Sequence, residues 1–320
     1  MTDVLILGGT GWLSGRIAQR WLDEGATVTC LARGTRPAPE GTALVHGDRD
    51  APDAYADLAR QDWDHIVDIS SQAEHVERAI DALGDRAGRW TYVSSVSVYS
   101  DDATVGVDES APRHPSARPG DEYEYGAHKA AAEDAVGLLG KRALIVRPGL
   151  IVGDGDPSDR FGYWGAAFAR AGAEPVLLPP VEGKHVQVID VDDLAAFIVG
   201  ATCSGAVNAV GDEHPLADVL DAVRAAAGHA GATVVAEEEW LLAHDVEHWA
   251  GPRSLPLWLP PTMTGFMTRS NSAFHASGGQ LRPLADTIER VIADERERGI
   301  DRERRAGLTR AEEEALLADR

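Results

Sequence analysis

The chain has 320 residues, 44% of them hydrophobic, and a formal net charge of -22 at pH 7. This length and apolar content support a nucleotide-binding sheet with a second lobe. The acidic charge is spread along the chain, which excludes the basic footprint that nucleic acid or an anionic membrane surface requires. No apolar run is long enough to span a bilayer. The two cysteines, Cys30 and Cys203, imply no disulfide framework and suit a reducing cytoplasm. The first strand starts at Val4, so no signal peptide is expected before the fold.

Val4-Leu5-Ile6-Leu7 is a continuous apolar run, as expected for a strand buried on both faces. Gly8, Gly9, Thr10 and Gly11 follow, and then Leu13, Ile17, Ala18 and Trp21 recur at helical spacing. A strand that feeds a helix through glycines aims backbone N–H groups at a phosphate, and the positive helix end favours its charge. The dinucleotide fingerprint places glycines at three-residue steps. Gly8 and Gly11 obey it, whereas Ser14 takes the third place and Gly15 comes one residue late.

The second strand, Thr27–Leu31, runs into Ala32-Arg33-Gly34-Thr35-Arg36. A fold that selects NAD usually ends this strand with a carboxylate for the ribose 2′-hydroxyl. No acid stands here, and a guanidinium pairs with a 2′-phosphate. Arg33, with Arg36 in support, therefore favours NADP(H) over NAD.

Further strands are expected at 65–69, 90–94 and 143–147. Helices are expected at 73–84, 124–139, 192–202 and 215–227. This alternation predicts an α/β fold, a Rossmann-type doubly wound parallel sheet with a smaller C-terminal substrate lobe. Residues 1–155 form the dinucleotide-binding unit on this reading, and 186–212 return to it. Residues 156–185 and 213–300 make the substrate-binding lobe, and 301–320 a charged helical tail capped by Thr309 and Glu312. That tail reads as a surface brace. The stretch 100–121, rich in Asp, Pro and Ser, reads as a long functional loop.

Ser94 through Tyr99 stand at the carboxyl end of a strand, where open parallel sheets bind ligands. Tyr125 and Lys129 lie one turn apart on one helix face. A neighbouring ammonium favours the phenolate and draws the tyrosine pKa toward the working range. Ser95, Tyr125 and Lys129 thus form the expected catalytic set. Ser95 holds a substrate oxygen, Tyr125 exchanges its proton, and Lys129 tunes Tyr125 and holds the nicotinamide ribose. Arg160, Phe161, Tyr163 and Trp164 are candidates to line the substrate cleft. Arg253 and Arg269 are candidates to meet an anion, with a structural role as the alternative. His244 and His248 read as a charged helix face, and no spacing suggests a metal site.

The chain resembles the extended short-chain dehydrogenase/reductase family, which includes nucleotide-sugar epimerases and dehydratases. The matching stretches are Gly8-Gly9-Thr10-Gly11-Trp12-Leu13, Gly47-Asp48, Val93 to Tyr99, Tyr125-Gly126-Ala127-His128-Lys129, Arg147-Pro148-Gly149 with Val152-Gly153, and Val188 to Leu194. The resemblance implies that Trp12 and Leu13 belong with the cofactor turn, that Asp48 reaches the adenine and that Pro148 lies near the nicotinamide. It also implies that Ser95, not Ser94 or Ser97, is the catalytic serine. The 4,6-dehydratases of the family carry an Asp-Glu pair directly after the catalytic Ser or Thr. Val96-Ser97 stand there in this chain, which argues against dehydration.

The expected function is hydride transfer at an alcohol or ketone carbon of a polar small molecule, a sugar or nucleotide sugar being one class. One alternative is an epimerase that oxidises transiently and retains its NAD. Another is a non-enzymatic dinucleotide sensor. A small-molecule substrate is the expected partner, and a homodimer stays open.

Overall fold

The computed structural model describes residues 1–320. Its first part runs β1 (Asp3–Leu7), α1 (Trp12–Asp23), β2 (Thr27–Ala32), β3 (Ala43–His46), β4 (Trp63–Asp68), α2 (Ala73–Leu83), β5 (Ala87–Val93), α3 (Tyr125–Gly137) and β6 (Ala143–Pro148). Next come β7 (Leu150–Val152), α4 (Arg160–Ala171), β8 (Val176–Leu178), β9 (His185–Asp190), α5 (Val191–Gly200) and β10 (Gly205–Ala209). The chain ends with β11 (Glu213–Pro215), α6 (Leu216–Ala227), β12 (Thr233–Val235), α7 (Glu238–Ala243), β13 (Glu247–Trp249), β14 (Ser254–Pro256), α8 (Ser272–Ala276), α9 (Leu284–Arg298) and α10 (Arg310–Ala318).

Seven parallel strands make one sheet in the order β10-β6-β5-β4-β1-β2-β3. The alternation of side chains along β1 shows why it needs two helical layers. Val4 and Ile6 pack with Ile17, Ala18 and Trp21 of α1 and with Leu194 and Ile198 of α5. Leu5 and Leu7 face the other way, onto Val76, Ile80 and Leu83 of α2 and Val136 of α3. A sheet clad on both faces by helices is the Rossmann-type arrangement expected from the sequence. The edge strands β3 and β10 are the two that the sequence reading lacks. Each is short, four and five residues, and neither carries an apolar run long enough to stand out.

Chain order reverses between β1 and β4. From β1 the chain winds outward through β2 and β3, and from β4 it winds the other way through β5, β6 and β10. Loops at such a switch point diverge and leave a crevice beyond the carboxyl ends of the strands.

The remaining elements enclose a separate apolar core. Phe161, Trp164 and Phe168 of α4 meet Leu216 and Leu220 of α6 and Ile288 and Ile292 of α9. Small sheets flank it: β11-β9-β7, β12-β8 and β13-β14. Here two expectations need correction. Phe161, Tyr163 and Trp164 do not line a cleft. They are the buried face of α4, and the Trp164 indole donates to the Pro256 carbonyl at 2.8 Å. His244 and His248 share no helix, because α7 ends at Ala243. His244 pairs with Asp319 at 3.0 Å, and His248 on β13 stacks on Trp258.

The C-terminal tail is also more than a surface brace. Its Thr309–Glu312 capping box forms as expected. Leu308 and Leu316 sink into the second core, and buried Glu313 pairs with Arg170 at 2.9 Å and accepts the Leu177 N–H at 3.1 Å.

Candidate active site

The glycine turn is closed by a serine. Gly8 has φ +89°, a left-handed conformation that suits glycine, and its N–H donates to the Leu31 carbonyl at 2.9 Å. Gly9 passes so close to β2 that a Cβ there would stand 2.4 Å from the Cys30 Sγ. Ser14, at the third fingerprint position, is wholly buried. Its hydroxyl donates to the Gly8 carbonyl and accepts the Gly11 N–H, both at 2.8 Å. The departure from glycine thus adds a stitch across the turn while keeping the side chain small.

Beyond this turn lies a cleft of about 990 Å³. Gly8, Thr10 and Gly11 line it from the turn, Arg33 and Arg36 from the end of β2, and Asp48 from the end of β3. Arg33, Arg36 and Asp48 are exposed at its mouth. Below Asp48, Arg49 is committed elsewhere. It pairs through two nitrogens with buried Asp68, each at 2.7 Å, and donates to the Tyr55 hydroxyl and the His75 carbonyl at 2.8 Å. That buried pair fastens the loop after β3 to the end of β4 and to α2. Its role is to hold position, since a buried ion pair contributes little net stability.

Trp12 and Leu13 do not line this cleft. They face a second one of about 600 Å³, together with Ser95, Tyr125, Lys129 and Pro148. Gly11 and Ile69 border both clefts, so the two adjoin. The Trp12 indole is anchored by donating to the Asp154 carbonyl at 2.9 Å.

The strand–turn geometry sets the serine. After β5, Ser95 caps a single 3-10 turn over Val96–Val98. Its Oγ accepts the Ser97 N–H and donates to the Ser97 hydroxyl, both at 3.1 Å. Ser94 is buried, with no partner for its hydroxyl. Tyr125 opens α3, whose first N–H groups are capped by Glu124. Gly126 lets this helix end approach: a Cβ there would stand 2.3 Å from the Ser97 carbonyl oxygen. Gly126 is thus a positioning residue that the sequence motif contains but whose purpose only the packing reveals.

Tyr125 is 40% exposed, toward the cleft. Dense protein around it raises its phenol pKa, and the Ser95 hydroxyl is the leading opposing influence. Lys129 is buried and directs its ammonium at the carbonyls of Ser70 (2.8 Å) and Val93 (2.7 Å). Burial lowers its own pKa to about 7, against the pull of Asp68 and Glu133. It lies over Tyr92, 4.7 Å from the ring centroid, and farther from Tyr125, at 5.8 Å.

The long loop before Tyr125 is largely spent on scaffolding. Arg113 reaches Glu133 and Asp134 on α3, while Asp102, Ala103 and Gly106 bond to residues 264–268. Arg269 is fully buried on Tyr99 and donates to Asp102 at 2.8 Å, and Arg253 pairs with Glu312 at 3.4 Å. Neither is free to meet a ligand.

The family model for the NAD dependent epimerase/dehydratase family matches residues 4–208. The chain belongs to that family. It is thereby of the extended short-chain dehydrogenase/reductase type, a family of NAD-dependent enzymes. Among curated relatives, it is 29% identical over 203 residues to the ceramide reductase of Caulobacter vibrioides, covering 61% of this chain and 59% of that protein. It is 34% identical over 91 residues to the photosystem II assembly factor Ycf39 of Synechocystis, covering 27% of this chain and 26% of the other. The chain therefore spans about three-fifths and about a quarter of these relatives.

Among solved structures, the UDP-glucose 4-epimerase of Thermotoga maritima with UDP-glucose superposes with a TM-score of 0.69 at 12% identity, over 93% of this chain and 99% of that one. The UDP-glucose 4-epimerase of Thermus thermophilus in complex with NAD gives 0.65 at 19% identity, over 92% and 98%. At such identities these likenesses establish the shared fold. No helix of this family member is long and apolar enough to cross a membrane.

Proposed function

We propose that this protein is an NADP(H)-preferring oxidoreductase that interconverts an alcohol and a ketone on a polar small molecule. The observation that carries the reading is the adjacency of the two clefts at Gly11 and Ile69, with Ser95, Tyr125 and Lys129 grouped in the second. The residues present fit a dinucleotide. Gly8, Thr10 and Gly11 would hold the diphosphate, Arg33 the 2′-phosphate, Asp48 the adenosine end, and Pro148 would border the nicotinamide. When bound, the cofactor supplies or accepts the hydride.

The chain's own residues manage the oxygen and its proton. Ser95 donates a hydrogen bond to the substrate oxygen. Tyr125 gives that oxygen a proton during reduction and takes it back during oxidation. A raised phenol pKa keeps Tyr125 protonated, and hence a donor, across the neutral range. Lys129 holds the floor of the site through Ser70 and Val93 and would meet the nicotinamide ribose. Support for NADP(H) comes from the absence of an acid at the end of β2 and from the two exposed arginines there.

Replacing Tyr125 tests the reading. Tyr125→Phe is expected to lower turnover of a carbonyl substrate by roughly a hundredfold or more, the scale of lost general acid–base catalysis. Cofactor affinity should stay nearly unchanged. A variant that turns over like the wild type would remove Tyr125 from the reaction. The competing reading, epimerisation with retained cofactor, draws on the family's description and on the epimerase neighbours. It uses the same residues and differs in the fate of the cofactor.

A further inference from the structure

One arginine in the second cleft has no task inside the protein. Arg160, the first residue of α4, lines this cleft together with Tyr125. It is only half-buried, and its guanidinium lies over the indole of Trp249, 4.9 Å from the ring centroid. Its Nε is buried without a hydrogen-bond partner, and no carboxylate stands within salt-bridge distance of it. Asp156 attracts it from farther away. The oxygens of Asp156 are taken by Ser158, whose N–H and hydroxyl both donate at 2.8 Å. Arg147 makes a contrast. It too stacks on an aromatic ring, Tyr99 at 4.9 Å, but its nitrogens are spent on Glu133 and on the Tyr99 hydroxyl. In a chain of charge -22, an idle guanidinium in a partly desolvated pocket is an exception that calls for a ligand.

The backbone points to the same place. Five non-glycine residues have positive φ: Asp159, Asp245, Trp249, Arg253 and Leu257. Asp159 immediately precedes Arg160, and the other four lie in the 245–257 segment that carries Trp249. Such conformations are costly and persist where the surroundings enforce them, often at ligand sites. Trp249 is held on both sides. Its N–H donates to the Trp258 carbonyl at 3.0 Å, and its ring meets Phe266 edge-on at 5.5 Å. Asp159 is fixed by Arg302 and by the Arg305 N–H at 2.9 Å. The platform and the guanidinium are thus brought together from segments about ninety residues apart, at a conformational cost.

We propose that Arg160, stacked on Trp249, is a specificity-determining residue that binds an anionic oxygen group of the substrate, a carboxylate or a phosphate, and so sets the reacting carbon beside Tyr125. A guanidinium presents paired N–H donors that match the two oxygens of such a group. The stacked ring restricts the guanidinium plane before the ligand arrives, which reduces the ordering cost on binding. The inference rests on the reading that this cleft is the substrate side of the enzyme.

The test uses binding, so it does not depend on turnover. The full chain is saturated with whichever of NAD and NADP it binds more tightly. It is then titrated by calorimetry with 4-acetylbenzoate, 4-acetylphenyl phosphate and the neutral 4-acetylbenzamide. At least one anion should bind about tenfold or more tighter than the amide, the scale of one charge-assisted contact. Which anion prevails distinguishes a carboxylate site from a phosphate site. Arg160→Gln should erase the preference while leaving amide binding unchanged, and Arg160→Lys should keep part of it. Tyr125→Phe should retain the preference in full, so a failure of the acid–base assignment leaves this result standing. Anions that bind no better than the amide to the wild type, or fail to bind, overturn the proposal. So does a preference that survives in folded Arg160→Gln.

Discussion

The two clefts meet at Gly11 and Ile69 but are built by different means. The dinucleotide side is made mostly of backbone: a left-handed glycine, a glycine pressed on Cys30, and a buried serine stitching the turn. Its charged residues are either paired within the wall, as Arg49 is with Asp68, or exposed at the mouth, as Arg33 is. The second cleft adds, to the residues around Ser95, Tyr125 and Lys129, single side chains drawn from α4, β13 and the 264–268 segment, with Trp249 on strained backbone and Arg160 left uncommitted. A site that binds a common cofactor needs a fixed backbone cradle. A site that chooses among substrates needs side chains that can be exchanged. On the proposed function, the cofactor belongs to the first cleft, and the reacting residues and the specificity to the second.

If that division holds, a change in one cleft should leave the other's ligand untouched. The larger effect is expected from Arg33→Ala, which should weaken NADPH binding by roughly 1.5–3 kcal/mol, the range for a charge-assisted hydrogen bond. NADH binding should barely alter, and the anion preference attributed to Arg160 should not move. Calorimetric titration of both cofactors checks this. Equal losses for the two cofactors, or a tighter wild-type complex with NADH, would dismiss Arg33 as the selector.

Lys129 lines the second cleft, and the expected effect there is smaller for each pH unit and tied to pH. Burial holds its folded pKa at about 7, below the ordinary 10.5 that an unfolded chain restores. Between those values the unfolded state binds the extra proton. Wild-type stability should therefore rise with pH across that window, by at most about 1.4 kcal/mol per unit from this group. Below pH 7 both states hold the proton, and this contribution to the slope vanishes. Lys129→Met should lack the rise, which urea unfolding at a series of pH values would reveal. Identical pH profiles would mean that Lys129 keeps its proton throughout the window.

What the sequence made legible follows the same division. The strand β1, the turn through Gly11 and the pair Tyr125–Lys129 are local features in which neighbours in the chain are neighbours in space. Their placement could be read from spacing alone. Ser14 was visible as a departure, but its hydroxyl's two hydrogen bonds were not, because they depend on the path of the turn. The Arg160–Trp249 contact joins distant segments through left-handed residues that no propensity foretells. Phe161, Tyr163 and Trp164 misled for a related reason. Aromatic residues next to a cleft arginine resemble a ligand platform until the helix phase shows them turned into the second core.

The central claim is net redox at one carbon, and the fate of the cofactor tests it most directly. The enzyme is incubated with an excess of a carbonyl compound that it binds and with substoichiometric NADPH. The absorbance of the reduced nicotinamide is followed beside the amount of product. The account predicts that product appears one for one with NADPH consumed and stops when the NADPH is gone. Many product turnovers with no net change in the cofactor would contradict it and identify the protein as an epimerase.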